Sequence, residues 1–150
     1  MAYDSVSIKF LLVGINMRQD VLHISLYIDC PVAQVYDFAS NPGNLPRWAA
    51  GLARSDIYKQ GDVWIAEAPF GNVKIKFSPR NDFGVMDHDV ELDSGLIVHN
   101  PMRVLPNGEG SEFVFTLLRQ PNMSDAQFED DKRSVEKDLL TLKTLLEGSI

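Results

Sequence analysis

SDAQFEDDKRSVEKDLLTLKTLLEG, residues 124–148, decides how the rest of the chain is read. Ser124 and Gln127 form the Ser-x-x-Gln pattern, in which each side chain satisfies the other residue's backbone amide at a helix start. Asp125 adds negative charge where the helix dipole is positive. Phe128, Val135, Leu139, Leu142 and Leu146 then recur along one stripe, with Leu145 beside it. Asp130, Asp131, Lys132, Arg133, Glu136, Lys137 and Lys143 occupy the other face, which reads as solvated. The spacing predicts one amphipathic helix of about six turns, long by globular standards. A stripe that long needs an extended apolar surface to cover it.

Upstream, the sequence supplies that surface as strands. Residues 21–28 alternate, with Leu22, Ile24, Leu26 and Ile28 on one face and His23, Ser25 and Tyr27 on the other. Asp29-Cys30-Pro31 ends the strand, and Pro31 suits a first helical position, where its missing N–H has no partner to lose. Val32, Val35, Tyr36, Phe38 and Ala39 recur near helical spacing until Asn41-Pro42-Gly43-Asn44 breaks the helix. Leu45-Pro46-Arg47-Trp48 begins a second short helix or turn. Six strands are then expected at 54–59, 63–68, 73–78, 84–92, 96–104 and 111–119, the fifth bent at Pro101. Turn signals separate them, the clearest being Pro106-Asn107-Gly108-Glu109-Gly110. No connection is long enough for a parallel crossover, so an antiparallel meander follows. The predicted fold is α+β: a curved seven-stranded antiparallel sheet wrapped around the C-terminal helix, with two short helices after the first strand. A strongly curved sheet gripping one helix leaves a gap between them, and such gaps are where small molecules bind.

Composition narrows the function. The chain has 150 residues, 14 Lys and Arg against 21 Asp and Glu, and a formal charge of −7. Hydrophobic residues make up 45% and charged residues 23%, which excludes disorder. The single cysteine, Cys30, excludes a disulfide scaffold and a thiolate zinc site. The acidic balance, with no Lys/Arg cluster, argues against nucleic acid. The apolar run at 10–15 is too short for a membrane span and lacks the flanks of a secretory signal, so a cytoplasmic protein is expected. Residues 1–16 read as an N-terminal extension, either an extra strand or disordered, and residues 17–150 as one domain.

The order of elements resembles the helix-grip fold of the START-like, or SRPBCC, superfamily over about residues 21–147. The resemblance rests on His23-Ile24-Ser25-Leu26-Tyr27-Ile28, Cys30-Pro31-Val32, Val35-Tyr36-Asp37-Phe38-Ala39, Asn41-Pro42 and Leu45-Pro46-Arg47-Trp48. Further on, Arg80-Asn81, Phe83-Gly84-Val85-Met86-Asp87-His88, Pro101-Met102-Arg103-Val104, Gly110-Ser111-Glu112 and Met123-Ser124-Asp125 resemble a bacterial polyketide cyclase-like subgroup of unknown function. The residue before the helix proline is usually Ser or Thr in this superfamily. Here it is Cys30, a weaker cap, so the helix start is expected to lean on Asp29. The superfamily holds carriers, enzymes and interaction modules alike, so fold does not decide function.

By alternation Met86, His88, Val90 and Leu92 share the more apolar face of their strand, which places His88 in the gap as a candidate acid/base. The alternative is a structural histidine bonded to a neighbouring strand. Arg103 is a candidate anchor for a ligand carboxylate or enolate; a cross-strand ion pair with Glu112 is the plainer account. His99 falls on the face of Ile97 and Arg103. Trp48 is expected at the mouth of the gap, as a stacking surface or as a plug closing the core. Phe77 and Phe115 read first as core and second as pocket lining. Asp87-His88-Asp89 cannot converge on a metal, because neighbouring strand residues point to opposite faces. No cofactor is implied. The expected partner is a small hydrophobic or aromatic molecule, oriented by His88 and Arg103. The alternatives are a cofactor-independent cyclase or dehydratase using His88, and a protein-interaction module.

Overall fold

The computed structural model describes residues 18–148. The expected extension at 1–16 lies outside them. β1 (Val21–Ile28) leads into α1 (Val32–Ala39) and α2 (Leu45–Trp48), with single 3-10 turns at Pro42–Asn44 and Ala50–Leu52. The meander follows as β2 (Asp56–Gln60), β3 (Val63–Ala68), β4 (Gly71–Phe77), β5 (His88–Leu92), β6 (Ile97–Asn100), β7 (Met102–Asn107) and β8 (Gly110–Leu118). α3 (Asp125–Glu147) closes the chain. Every ladder is antiparallel, in the orders β1-β8-β7 and β2-β3-β4-β5-β6.

The described strands therefore number eight in two sheets, where seven in one sheet were expected. Pro101 is the cause. It lacks an N–H, so the ladder loses a donor at the bend. The next amide, that of Met102, is taken up by a side chain instead of a strand: it donates to the Asp87 carboxylate at 2.9 Å. Beyond the break the pairing resumes in the same register, with His88 opposite Asn100 and Val85 opposite Arg103. The two sheets are one curved surface folded at Pro101. Gly84 lets the chain approach β7 closely. It has φ +67, and a Cβ there would collide with the Val104 carbonyl.

α3 starts as its sequence predicts. The Gln127 amide donates to the Ser124 hydroxyl at 3.1 Å, and the Ser124 amide donates to the Gln127 side chain at 2.9 Å. Leu139, Leu142 and Leu146 are buried against the sheet. Burial of each contributes roughly 1.5–3 kcal/mol. α1 starts differently from expectation. Pro31 is the N-cap rather than the first helical residue, no side chain caps it, and the Cys30 thiol donates to Gln34 at 2.9 Å. Asp29 does not cap either; its amide donates to Glu147 at 3.0 Å, tying the end of β1 to the end of α3. Lys143 reinforces that tie through Glu147, at 2.6 Å, and the Tyr27 carbonyl, at 2.7 Å. Among the described residues no helix is long and apolar enough to cross a membrane.

Candidate functional site

Core packing is incomplete between the sheet and α3. A cavity of about 240 Å³ lies there. Its floor is the inward face of the sheet: Val73 and Ile75 of β4, His88 and Val90 of β5, Met102 of β7 and Phe115 of β8. These belong together because cross-strand partners share a face, and Ile75 pairs with Val90 and Met102 with Phe115. Val135, Asp138 and Leu139 of α3 form the roof. Leu45 and Trp48 of α2 form one wall. Gly51, Leu52 and Phe70 border the opening, and Phe70 is 66% exposed at the tip of the β3–β4 hairpin.

Of the eight residues singled out in the sequence, Trp48, His88 and Phe115 line this cavity. Met86 is completely buried in the core beneath it. Phe77 sits beside it, cross-strand from His88, its ring stacked on the imidazole at 4.4 Å. His99, Arg103 and Glu112 do not line the cavity, so Arg103 is not placed to anchor a ligand there. Alternation predicted their parity, but that parity points outward. His99 pairs with Asp89, which faces away from His88, and its ring bonds the Asp89 carboxylate at 2.6 Å. Arg103 is more than half exposed and reaches Asp87 at 3.6 Å. Glu112 pairs with Leu105, two residues from the Arg103–Val114 pair, and accepts from Asn107 at 3.3 Å. The ion pair expected between Arg103 and Glu112 is replaced by the contact of Arg103 with Asp87. Phe77, His88 and His99 do meet at a second, shallower groove, beside Asp87 and Asp89.

The electrostatics of the cavity come from two side chains. His88 is 7% exposed, and its Nδ1 donates to the Met86 carbonyl at 3.0 Å. A carbonyl only accepts, so Nδ1 carries a proton; in the neutral ring Nε2 then holds a lone pair, with no hydrogen-bond partner among the described residues. Burial pushes the imidazole below its ordinary range, against the smaller raising effect of the Met86 carbonyl. Burial thus favours the neutral imidazole. Asp138 is half-buried, and its Oδ1 accepts from the Ala50 amide at 3.1 Å. That bond ties α3 to the turn at the opening. Burial pushes this carboxyl up, opposed by the Ala50 amide and Lys137.

Asp138 was missed by the sequence reading, although its position carried a signal. It falls three residues after Val135 and four before Leu142, a charge placed inside the apolar stripe. The Trp48 indole N–H is covered and has no hydrogen-bond partner among the described residues. Phe113 packs against that ring edge-on at 6.3 Å. The indole thus presents carbon, not its N–H, to the cavity. Cys30 is buried, and burial beside Asp29 and Glu147 pushes its thiol up, away from the reactive thiolate.

A curved antiparallel sheet wrapped on one long helix, with a mostly apolar cavity between them, defines a helix-grip domain. The chain belongs to the family described as polyketide cyclase / dehydrase and lipid transport, whose model matches residues 21–147. No curated protein sequence matches it. Solved structures share the fold at low identity. Protein MLL2253 from Mesorhizobium loti is 13% identical with a TM-score of 0.68, covering 87% of this chain and 99% of its own. Ara h 8.0201 is 11% identical with a TM-score of 0.66, covering 88% and 100%. The Aha1 dimer from Colwellia psychrerythraea is 14% identical with a TM-score of 0.66, covering 85% and 96%.

Proposed function

We propose that this protein binds one small hydrophobic or aromatic molecule in the cavity between the sheet and α3. The observation that carries the reading is the cavity itself: about 240 Å³ walled mainly by aliphatic and aromatic side chains. An apolar cavity of about 150 Å³ takes up one benzene ring, so this one suits a molecule of one or two rings. The family description, which includes lipid transport, supports the same class of ligand. The cytoplasm is the proposed setting, in keeping with one free thiol in the whole sequence. Native mass spectrometry of the protein purified from its own source tests the binding. The expected result is a released mass of one or two rings; the bare chain mass in every preparation contradicts it.

A second reading, cofactor-independent cyclase or dehydratase chemistry, is favoured by one observation. The neutral His88 ring lines the cavity with Nε2 unpartnered, as a general base requires. His88→Gln separates the two readings. A carrier keeps its ligand and loses nothing else, whereas an enzyme keeps the ligand and loses turnover.

A further inference from the structure

The polar groups lining the cavity are biased toward one kind of ligand. None of its described lining residues is Lys or Arg, and Arg103, the expected anion anchor, lies outside it. Asp138 lines the roof with Oδ1 held by the Ala50 amide and Oδ2 without a hydrogen bond among the described residues. His88 lines the floor with its only N–H committed to the Met86 carbonyl, so the nitrogen it can offer a ligand is the Nε2 lone pair. Trp48, the one lining side chain with an uncommitted N–H, has that atom sealed from the cavity. The side chains of the described lining residues therefore offer a ligand acceptors and no reachable donor.

We infer, resting on the cavity-binding reading above, that the occupant is a one- or two-ring apolar molecule whose polar end donates hydrogen bonds and carries no negative charge. Phenols, neutral aromatic alcohols and aromatic amines meet this description; carboxylates and phosphates do not. A donor hydroxyl finds Asp138 Oδ2 or His88 Nε2. A carboxylate entering the same space is stripped of water, gains no cation, and meets the Asp138 carboxylate. Burial raises the affinity of Asp138 for a proton, which reflects how poorly this site supports even one negative charge.

Three probes of one ring system test this: naphthalene, 2-naphthol and 2-naphthoate, titrated into the full chain at neutral pH by calorimetry. One hydrogen bond made or lost corresponds to about tenfold in affinity. The expected result is 2-naphthol binding at least about tenfold tighter than 2-naphthoate. Asp138→Asn keeps an acceptor for the Ala50 amide while removing the charge, and it is expected to narrow that ratio by strengthening 2-naphthoate. If 2-naphthoate binds as tightly as 2-naphthol while naphthalene also binds, the polarity inference is overturned and the cavity reading stands. A ratio unchanged in Asp138→Asn overturns the role given to Asp138. If none of the three probes binds, the cavity reading fails and takes the inference with it.

Discussion

Truncating two leucines of α3 tests whether the helix grips the sheet around a space. Leu139 and Leu142 are both buried, at 1% and 0% exposure, but only Leu139 lines the cavity. Replacing either by Ala removes the burial of three carbons, about 2.4 kcal/mol at about 0.8 kcal/mol each. At Leu142 the truncation also opens a new void in packed core, which carries the total toward about 3–5 kcal/mol. At Leu139 the vacated space joins a cavity that already exists and opens beside Phe70, so little is added to the transfer loss. Leu142→Ala is thus expected to be the more destabilising by about 1 kcal/mol or more. That gap equals a melting difference of about 2–4 °C in a chain of this size. Urea unfolding with matched m values measures it directly. Equal losses at the two positions would mean that α3 packs solidly against the sheet, and the site described above would have no basis.

Three other changes probe the parts that hold the site. Ser124→Ala removes one half of the capping box and is expected to lower stability by about 1 kcal/mol, read as a lower urea midpoint. Gly84→Ala forces a side chain into a left-handed position against the Val104 carbonyl; a loss of at least about 2 kcal/mol is expected, and a neutral outcome in the same assay contradicts the close approach. His88 gives a pH signature: burial depresses the imidazole, so the folded protein takes up that proton less readily than the unfolded chain. Stability is then complete above the unfolded value of about 6.5 and falls as pH drops below it, more steeply than in His88→Phe. Parallel slopes for the two proteins between about pH 7 and 5 would contradict a buried neutral His88.

What the sequence disclosed depended on how local each feature is. The capping box at Ser124 and Gln127 and the strict alternation of β1 involve neighbours a few residues apart, and both appear where expected. Pro101 was visible as a bend, but the capture of the neighbouring Met102 amide by the Asp87 carboxylate depends on a residue fifteen positions away. Alternation correctly grouped His99 with Arg103, yet period two only divides a strand into two faces. Which face looks inward was settled by Asp89, the cross-strand partner of His99. Cys30 and Asp29 showed the limit of capping rules: the Cys30 thiol donates to Gln34, and the Asp29 carboxylate accepts from the Tyr27 hydroxyl instead of a helix amide. The cavity is a shortfall of packing among α2, the sheet and α3, and no single stretch encodes it. Its most informative residue, Asp138, was readable as a charge within the apolar stripe.

The most direct test of the account is a methyl NMR titration of the full chain with naphthalene, which has no polar group and reports on the cavity alone. Saturable shifts are predicted at the methyls of Val73, Ile75, Val90, Met102, Val135 and Leu139, which line the cavity, while Val35 and Ile28, buried elsewhere in the core, stay in place. Shifts confined to exposed groups such as Ile97 and Leu105, or no saturable shift at any methyl, would contradict a ligand-binding space between the sheet and α3.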